Sequence, residues 1–264
     1  FSIGIFLTTF FVILALVCPI LTTLNPIEIN LDNKLEAPNY DNIFGTDILG
    51  RDIFSRVIHG SKTSIITGIL VISIAILIGL PIGLLSGYYG GKVDKILMRI
   101  ADIFLAFPPL LLPIAITAAL GPGLINALIA LSISWFPWYA RIIRSSVITV
   151  KKELYISSSE VMGIHPVKIM IRHILPNSTT PLIVQASMDF GYTILAAASL
   201  SFIGMGARPP VIEWGLMIAN SRAVFLEYWW TAFFPGLAIF LLVMGVNLMG
   251  DGIRDILDPN SDKI

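Results

Sequence analysis

Long uncharged apolar runs, rather than alternation of apolar and polar positions, set the pattern of this chain. Phe1 to Ile27 carries no charge, and neither does Thr63 to Gly91. Ile103 to Ala140 is a third such run, and Gly121-Pro122-Gly123 divides it as a tight turn between two antiparallel spans would. Pro181 to Ala207 holds a single charge, Asp189, and Tyr228 to Gly250 holds none. A hydrocarbon core about 30 Å thick takes roughly 20 residues of helix. The pattern therefore predicts an all-α integral membrane protein with six transmembrane helices. The first run lacks the basic n-region and small-residue cleavage site of a removable signal peptide, so it counts as a span. Residues 1–62 then form the first transmembrane helix plus an outer segment, and residues 63–264 form a five-helix core.

Three polar segments connect the spans: Glu28 to Lys62, Arg141 to Thr180, and Arg208 to Glu227. Lys and Arg concentrate on the cytoplasmic side of membrane proteins. With the N-terminus inside, Lys92, Lys95, Arg99, Arg141, Arg144, Lys151, Lys152, Lys168, Arg172, Arg254 and Lys263 are cytoplasmic. Lys34, Arg51, Arg56, Lys62, Arg208 and Arg222 are outside, so the basic residues divide eleven to six. Both termini are thus expected in the cytoplasm. The first outer segment is expected to be irregular before a short helix near Ile53 to His59. Tyr228, Trp229 and Trp230 suit an aromatic belt at the outer interface.

Composition sharpens this picture. The chain is 56% hydrophobic and 13% charged, with a mean hydropathy of +0.86, which nearly excludes a soluble enzyme. Seventeen basic and seventeen acidic residues balance, so there is no general attraction to nucleic acid. Cys18 is the single cysteine and sits in an apolar run, either facing lipid or packed as a small hydrophobe. His59, His165 and His173 are scattered over both sides of the membrane, so no metal-ligating set is assigned. Gly91-Lys92 is followed by Val93 and lacks the upstream glycine of a phosphate-binding loop. No nucleophile triad or carboxylate pair converges, so no catalytic residue is assigned.

The cytoplasmic segment from Leu154 to Asn177 reads as helix, turn, helix. Ser157 and Glu160 have capping-box spacing. Gly163 suits a left-handed helix stop and Pro166 the first turn of the next helix. Leu175-Pro176 is expected to end that second helix. Lys168 and Arg172 share one face, and Val167, Met170, Ile171 and Ile174 form another. Such an amphipathic piece either lies on anionic headgroups or docks on a partner.

Gly163 followed by Leu175-Pro176 is similar to the cytoplasmic signature of binding-protein-dependent ABC importer permeases, which reads Glu-Ala-Ala, three residues, Gly, nine residues, Ile, any residue, Leu-Pro. Ser157, Ser158 and Ser159 stand at the Glu-Ala-Ala positions, the acid follows as Glu160, and His173 stands at the Ile position. Phe44 to Arg56, Gly87-Tyr88-Tyr89-Gly90-Gly91 with Asp94, Arg99 and Asp102, Leu200 to Gly206, Pro209-Pro210 with Glu213-Trp214-Gly215, and Gly250-Asp251-Gly252 resemble the C-type permease subunit of dipeptide, oligopeptide and nickel importers. The resemblance covers essentially the whole chain.

It implies a type I ABC importer permease in the cytoplasmic (inner) membrane of a prokaryote, with a coupling-helix loop at about 150–177. The implied partners are a homologous second permease subunit, two cytoplasmic ATPase subunits, an extracytoplasmic solute-binding protein and the lipid bilayer. No cofactor is expected on this chain, ATP and Mg being held by the ATPases. Di- or oligopeptides are the implied substrates, with nickel or a metal chelate as the alternative. A standalone secondary carrier would share the apolar pattern, although one intramembrane acid is thin for ion coupling. The ATPase-docking residues implied are Ser157, Ser158, Ser159, Glu160, Gly163, Lys168, Arg172, His173 and Pro176.

Other candidates carry two readings each. Asp189 lies about 12 Å of helix rise from the cytoplasmic side; with Gln185 it either lines a translocation path or hydrogen-bonds the neighbouring permease. Ser199 and Ser201, among Ala196, Ala197, Ala198, Gly204 and Gly206, either line that path or allow close helix packing. Arg51 and Asp52 either contact the binding protein or brace the outer loop as an ion pair. Arg208, Glu213 and Trp214 either contact the binding protein or anchor the last outer loop.

Overall fold

The computed structural model describes residues 1–22 and 24–257. The charge Lys263, counted above as cytoplasmic, lies outside the described residues. The described chain is almost wholly helical. Helix α1 spans Ser2–Leu21, and α2 runs 37 residues from Ile53 to Tyr89. The short helix expected near Ile53 to His59 is the opening of α2, which passes unbroken through residues 62 and 63. Asp52 starts it by accepting the Ser55 N–H at 2.7 Å, and Gly90, at φ +63°, stops it.

The third crossing differs from the single helix expected. Helix α3 (Gly91–Leu105) ends before Pro108-Pro109, which supply no N–H to continue it. Helix α4 (Leu111–Leu120) then has only 10 residues, about 15 Å of rise, half a bilayer. Gly121-Pro122-Gly123 turns the chain into α5 (Leu124–Val150), as the sequence pattern indicates. After the helix–turn–helix loop come α9 (Thr180–Phe202), α10 (Trp214–Ser221) and α11 (Trp230–Leu257). Among the described residues, α2, α9 and α11 are each long and apolar enough to cross a membrane alone. Helix α5 has the length but mixes Asn126, Ser132, Ser134, Arg141 and Arg144 into its apolar run.

Two apolar clusters hold the helices together. One joins α2, α5 and α9 through Val71, Leu131, Tyr139, Ile143 and Leu200, and takes in Ile156, Ile169 and Ile174 of the loop. The other joins α1, α2, α10 and α11 through Phe11, Ile53, Trp214, Trp230 and Leu242. Cys18 of α1 is buried as packed filler, its thiol directed at the Ala15 carbonyl at 3.4 Å. Trp230 is buried and donates to the Thr46 carbonyl at 3.3 Å, so this ring is a brace for the outer segment rather than part of an interfacial belt. Trp229 remains exposed.

The most extensive helix–helix contact is between α2 and α5. Gly79, Gly83 and Gly87 recur every four residues and so share one face of α2. A Cβ at Gly79 would stand 2.6 Å from the Phe136 carbonyl oxygen, and one at Gly87 would stand 2.8 Å from the Val147 Cβ. One at Gly83 would collide with the Ala140 carbonyl oxygen. Lipid tails are as apolar as leucine, so membrane helices gain from such close packing rather than from hydrophobic exclusion.

Gly83→Val is expected to destabilise the fold by about 1–3 kcal/mol, read as earlier thermal loss of the monodisperse peak in detergent. Gly236→Ala, where a Cβ meets nothing within 4 Å, is expected to leave that peak unchanged.

Candidate functional site

The loop between α5 and α9 folds as helix, turn, helix. Helix α6 spans Leu154–Val161, Gly163 turns the chain at φ +75°, and α7 spans Pro166–Ile169. The His165 ring nitrogen Nδ1 caps α7 by accepting the Val167 N–H at 3.3 Å. A π-helical turn, Met170–Ile174, leads into α8 (Leu175–Ser178).

Three local expectations change. Glu153, not Ser157, occupies the N-cap of α6. Ser157 and Glu160 therefore lie inside the helix and form no capping box; Ser158 and Ser159 hydroxyls donate back to the Leu154 and Tyr155 carbonyls at 2.9 and 2.8 Å. Pro176 does not end the second helix. It sits in the first turn of α8, where its missing N–H is tolerated, and the π-helical turn directly precedes it. The buried stripe is Ile169, Met170 and Ile174, while Val167 and Ile171 are exposed.

The loop thus presents an apolar tip. Tyr155, Val161, Met162, Val167 and Ile171 are exposed, and Ser157, Ser158, Glu160, Gly163, Lys168 and Arg172 are exposed among them. Ser159 is buried, His173 is half-buried, and Pro176 is exposed at the far end. Its base is fixed. The Lys151 ammonium donates to the Tyr88 carbonyl at 2.6 Å and lies 4.8 Å over the Tyr88 ring. Glu160 faces the Tyr88 hydroxyl, and Tyr88 packs in the same core as Ile156 and Ile169. The ends of α2 and α5 and the loop therefore form one packed unit.

Beside it, α3 and α5 flank a charged cleft of about 650 Å³ lined by Asp94, Lys95, Met98, Arg99, Asp102, Arg141 and Arg144. Arg144 grips Asp94 with both arms, Nε at 2.5 Å and Nη2 at 2.6 Å, and the Ser86 hydroxyl donates to Asp94 at 2.5 Å. Arg141 pairs with Asp102. The Arg144 hydrogen bond holds the Asp94 carboxyl below the usual aspartate range; burial opposes this and Ser86 assists it. Sequence reasoning used the four basic residues to orient the chain and Asp94, Arg99 and Asp102 for the resemblance, and assigned the set no site. The available signal was charge recurring on one face of α3, at i, i+4 from Lys95 to Arg99 and at i, i+8 from Asp94 to Asp102.

Asp189 finds its partners within the chain. Gln185 donates to Oδ1 at 2.8 Å and the Tyr139 hydroxyl to Oδ2 at 3.0 Å, so the carboxylate ties α9 to α5. Ser199 and Ser201 do not converge on it, being about 15 Å or more further along α9. Ser199 donates to its own helix at Leu195. Ser201 is buried, accepts the Ala207 N–H at 3.0 Å and faces the Glu213 carboxylate.

On the opposite side the expected Arg51–Asp52 pair is not made. Arg51 pairs with Asp47 at 2.7 Å, because Asp52 is committed to capping α2. Glu213 and Trp214 are buried: the Glu213 carboxylate accepts the Gly215 and Leu216 N–H groups, each at 2.8 Å, and the Trp214 indole donates to the Val57 carbonyl at 2.9 Å. Burial pushes the Glu213 carboxyl above the usual glutamate range, against those hydrogen bonds. Arg208 alone of these five candidates is exposed. Among the described residues no three His, Cys, Asp or Glu side chains are placed to hold a metal ion.

Because its pKa is lowered in the folded state, Asp94 stabilises the α3–α5 link fully above the ordinary aspartate value near 3.9. That contribution is lost as pH falls through the lowered value. Stability is therefore expected to hold as pH drops to about 4 and fall below it, and Asp94→Asn is expected to lower the plateau and flatten that acid limb, read by thermal scans across pH.

A family model described as "Binding-protein-dependent transport system inner membrane component" matches residues 79–263. A dipeptide transport system permease protein of Alkalihalophilus pseudofirmus is 45% identical over 257 residues, covering 97% of this chain and 84% of that one. A probable D,D-dipeptide transport system permease protein of Escherichia coli is 48% identical over 243 residues, covering 92% and 82%. The fold matches that of an inward-facing methionine ABC transporter with TM-score 0.60 and 20% identity, over 77% of this chain and 97% of that one. With its all-helical type I permease fold, the chain belongs to the binding-protein-dependent family of inner-membrane transport components and is a multi-pass membrane protein.

Proposed function

We propose that this chain is one permease half of an ATP-driven importer of di- or oligopeptides. It pairs with a homologous second permease, two cytoplasmic ATPase subunits and an extracytoplasmic solute-binding protein. Both termini lie in the cytoplasm, where the basic residues concentrate. ATP and Mg are bound and turned over by the ATPases, and this chain performs no bond chemistry. The names of its relatives favour peptide over nickel or a metal chelate.

The observation that carries the reading is an exposed apolar tip on a base pinned to α2 and α5. Met162, Val161 and Ile171 enter an ATPase groove, with Lys168 and Arg172 at its rim. Since Lys151, Tyr88 and the shared core leave the loop no independent freedom, closure of the ATPases turns α2 and α5 with it, a rigid-body change suited to alternating access. The two intrachain hydrogen bonds on Asp189 favour a pin between α5 and α9 over an ion-coupling group, which counts against a secondary carrier.

Met162→Asp with Ile171→Asp is expected to cut co-purifying ATPase by at least about tenfold, since burying unpaired charge costs several kcal/mol, while the chain stays monodisperse. In liposomes carrying the full complex, peptide-loaded binding protein is expected to stimulate ATP hydrolysis. Full ATPase retention by the double variant would refute the docking surface, and stimulation by a nickel chelate alone would overturn the substrate.

A further inference from the structure

We infer that the cleft between α3 and α5 holds the phosphate of an anionic phospholipid from the cytoplasmic leaflet. Helix α3 shows three faces. Ala101 is buried against the protein, with Leu97 and Phe104 half-buried beside it. Val93, Ile96, Ile100 and Ile103, spaced by three, four and three residues, make a continuous apolar stripe, each side chain 40–62% exposed. The remaining face carries the charges of the cleft.

Those charges do not cancel. The cleft holds four cations, Lys95, Arg99, Arg141 and Arg144, against two carboxylates, Asp94 and Asp102. Arg144 occupies both oxygens of Asp94, and Arg141 takes Asp102. Lys95 and Arg99, one helical turn apart, make no ion pair among the described residues. Lys92, also exposed, continues the same edge. A surplus of two to three cations therefore borders the apolar stripe on a single helix.

The level in the membrane fits. From Leu124, beside the Gly121-Pro122-Gly123 turn, to Arg141 is about 26 Å of helix rise, close to the hydrocarbon thickness. The Arg141–Asp102 pair thus lies where acyl chains give way to headgroups, and Lys95 and Arg99 lie at or beyond that boundary. A ligand that meets cations and stripe together must carry an anion at its head and hydrocarbon behind it, as an anionic phospholipid does. Assigning the cytoplasmic leaflet rests on the orientation proposed above.

The test uses the complex purified with its ATPases and reconstituted in nanodiscs containing phosphatidylglycerol or phosphatidylcholine alone. Native mass spectrometry counts the lipids retained, and a photoactivatable phosphatidylglycerol maps the contact. Wild type is expected to retain phosphatidylglycerol and to cross-link within residues 91–105. Lys95→Gln with Arg99→Gln is expected to weaken retention about tenfold or more, and Lys95→Arg with Arg99→Lys to preserve it. Lys62→Gln, on the other side, is expected to change nothing. Unchanged retention in the Gln pair, equal retention of phosphatidylcholine, or displacement by millimolar inorganic phosphate would overturn the lipid site, the last in favour of a free-anion site. ATPase content in the same spectra tests the importer reading separately. Labelling of a Met98→Cys variant by an impermeant reagent from outside intact cells would overturn the leaflet assignment.

Discussion

The loop after α5 and the charged cleft beside it both hang on how closely α2 can approach α5. In a bilayer, apolar surface gains nothing by leaving lipid for protein, so helices must find contact that lipid cannot provide. Gly79, Gly83 and Gly87 provide it by removing three side chains in register from one face of α2. The backbone of α5 fills that space from Phe136 to Val147. This contact fixes the relative height of the two helices, and with it the level of Tyr88, Arg144, Lys151 and the loop that follows α5.

From that contact the functional surfaces follow in order. Tyr88, held one residue past the glycine row, takes the Lys151 ammonium on its carbonyl and over its ring. Ile156, Ile169 and Ile174 then seat the loop in the same core that packs α2 against α5. Arg144, on the turn of α5 that meets Gly83 and Gly87, reaches Asp94 and fixes the start of α3. The loop tip and the charged cleft are two outputs of one packed corner.

Much of this was legible in the amino-acid order. Charge-free runs, the Gly121-Pro122-Gly123 turn and the Gly163 stop each have a local cause that tertiary structure does not override. Where reading along the chain failed, a competing local bond or a distant partner decided. Asp52 has two uses within reach, a neighbouring arginine or the N-terminus of α2, and the N–H of Ser55 wins. Ser157 and Glu160 have capping spacing, yet α6 begins earlier at Leu154 because Ile156 must point into the core. Glu213, Trp214 and Ser201 look like candidates for contact or conduction, but their polar groups serve one buried corner joining α9, α10 and α2. Pro108-Pro109 was visible, and its consequence is a crossing built from the end of α3 and a ten-residue α4, joined by local turns in which the Phe107 N–H donates to the Phe104 carbonyl and the Leu111 N–H to the Pro108 carbonyl.

In the proposed importer the loop and the ends of α2 and α5 move as one body. Double electron–electron resonance on the assembled complex reads this, with Cys18 replaced by serine and spin labels at Leu154, exposed at the start of α6, and at Leu85, an exposed position on α2. The account expects the distance between these labels to be the same in nucleotide-free and ATP-bound complexes, while the distance from Leu85 to its counterpart in the second permease changes. A change in the Leu154–Leu85 distance on ATP binding, with α2 stationary against the second permease, would contradict it.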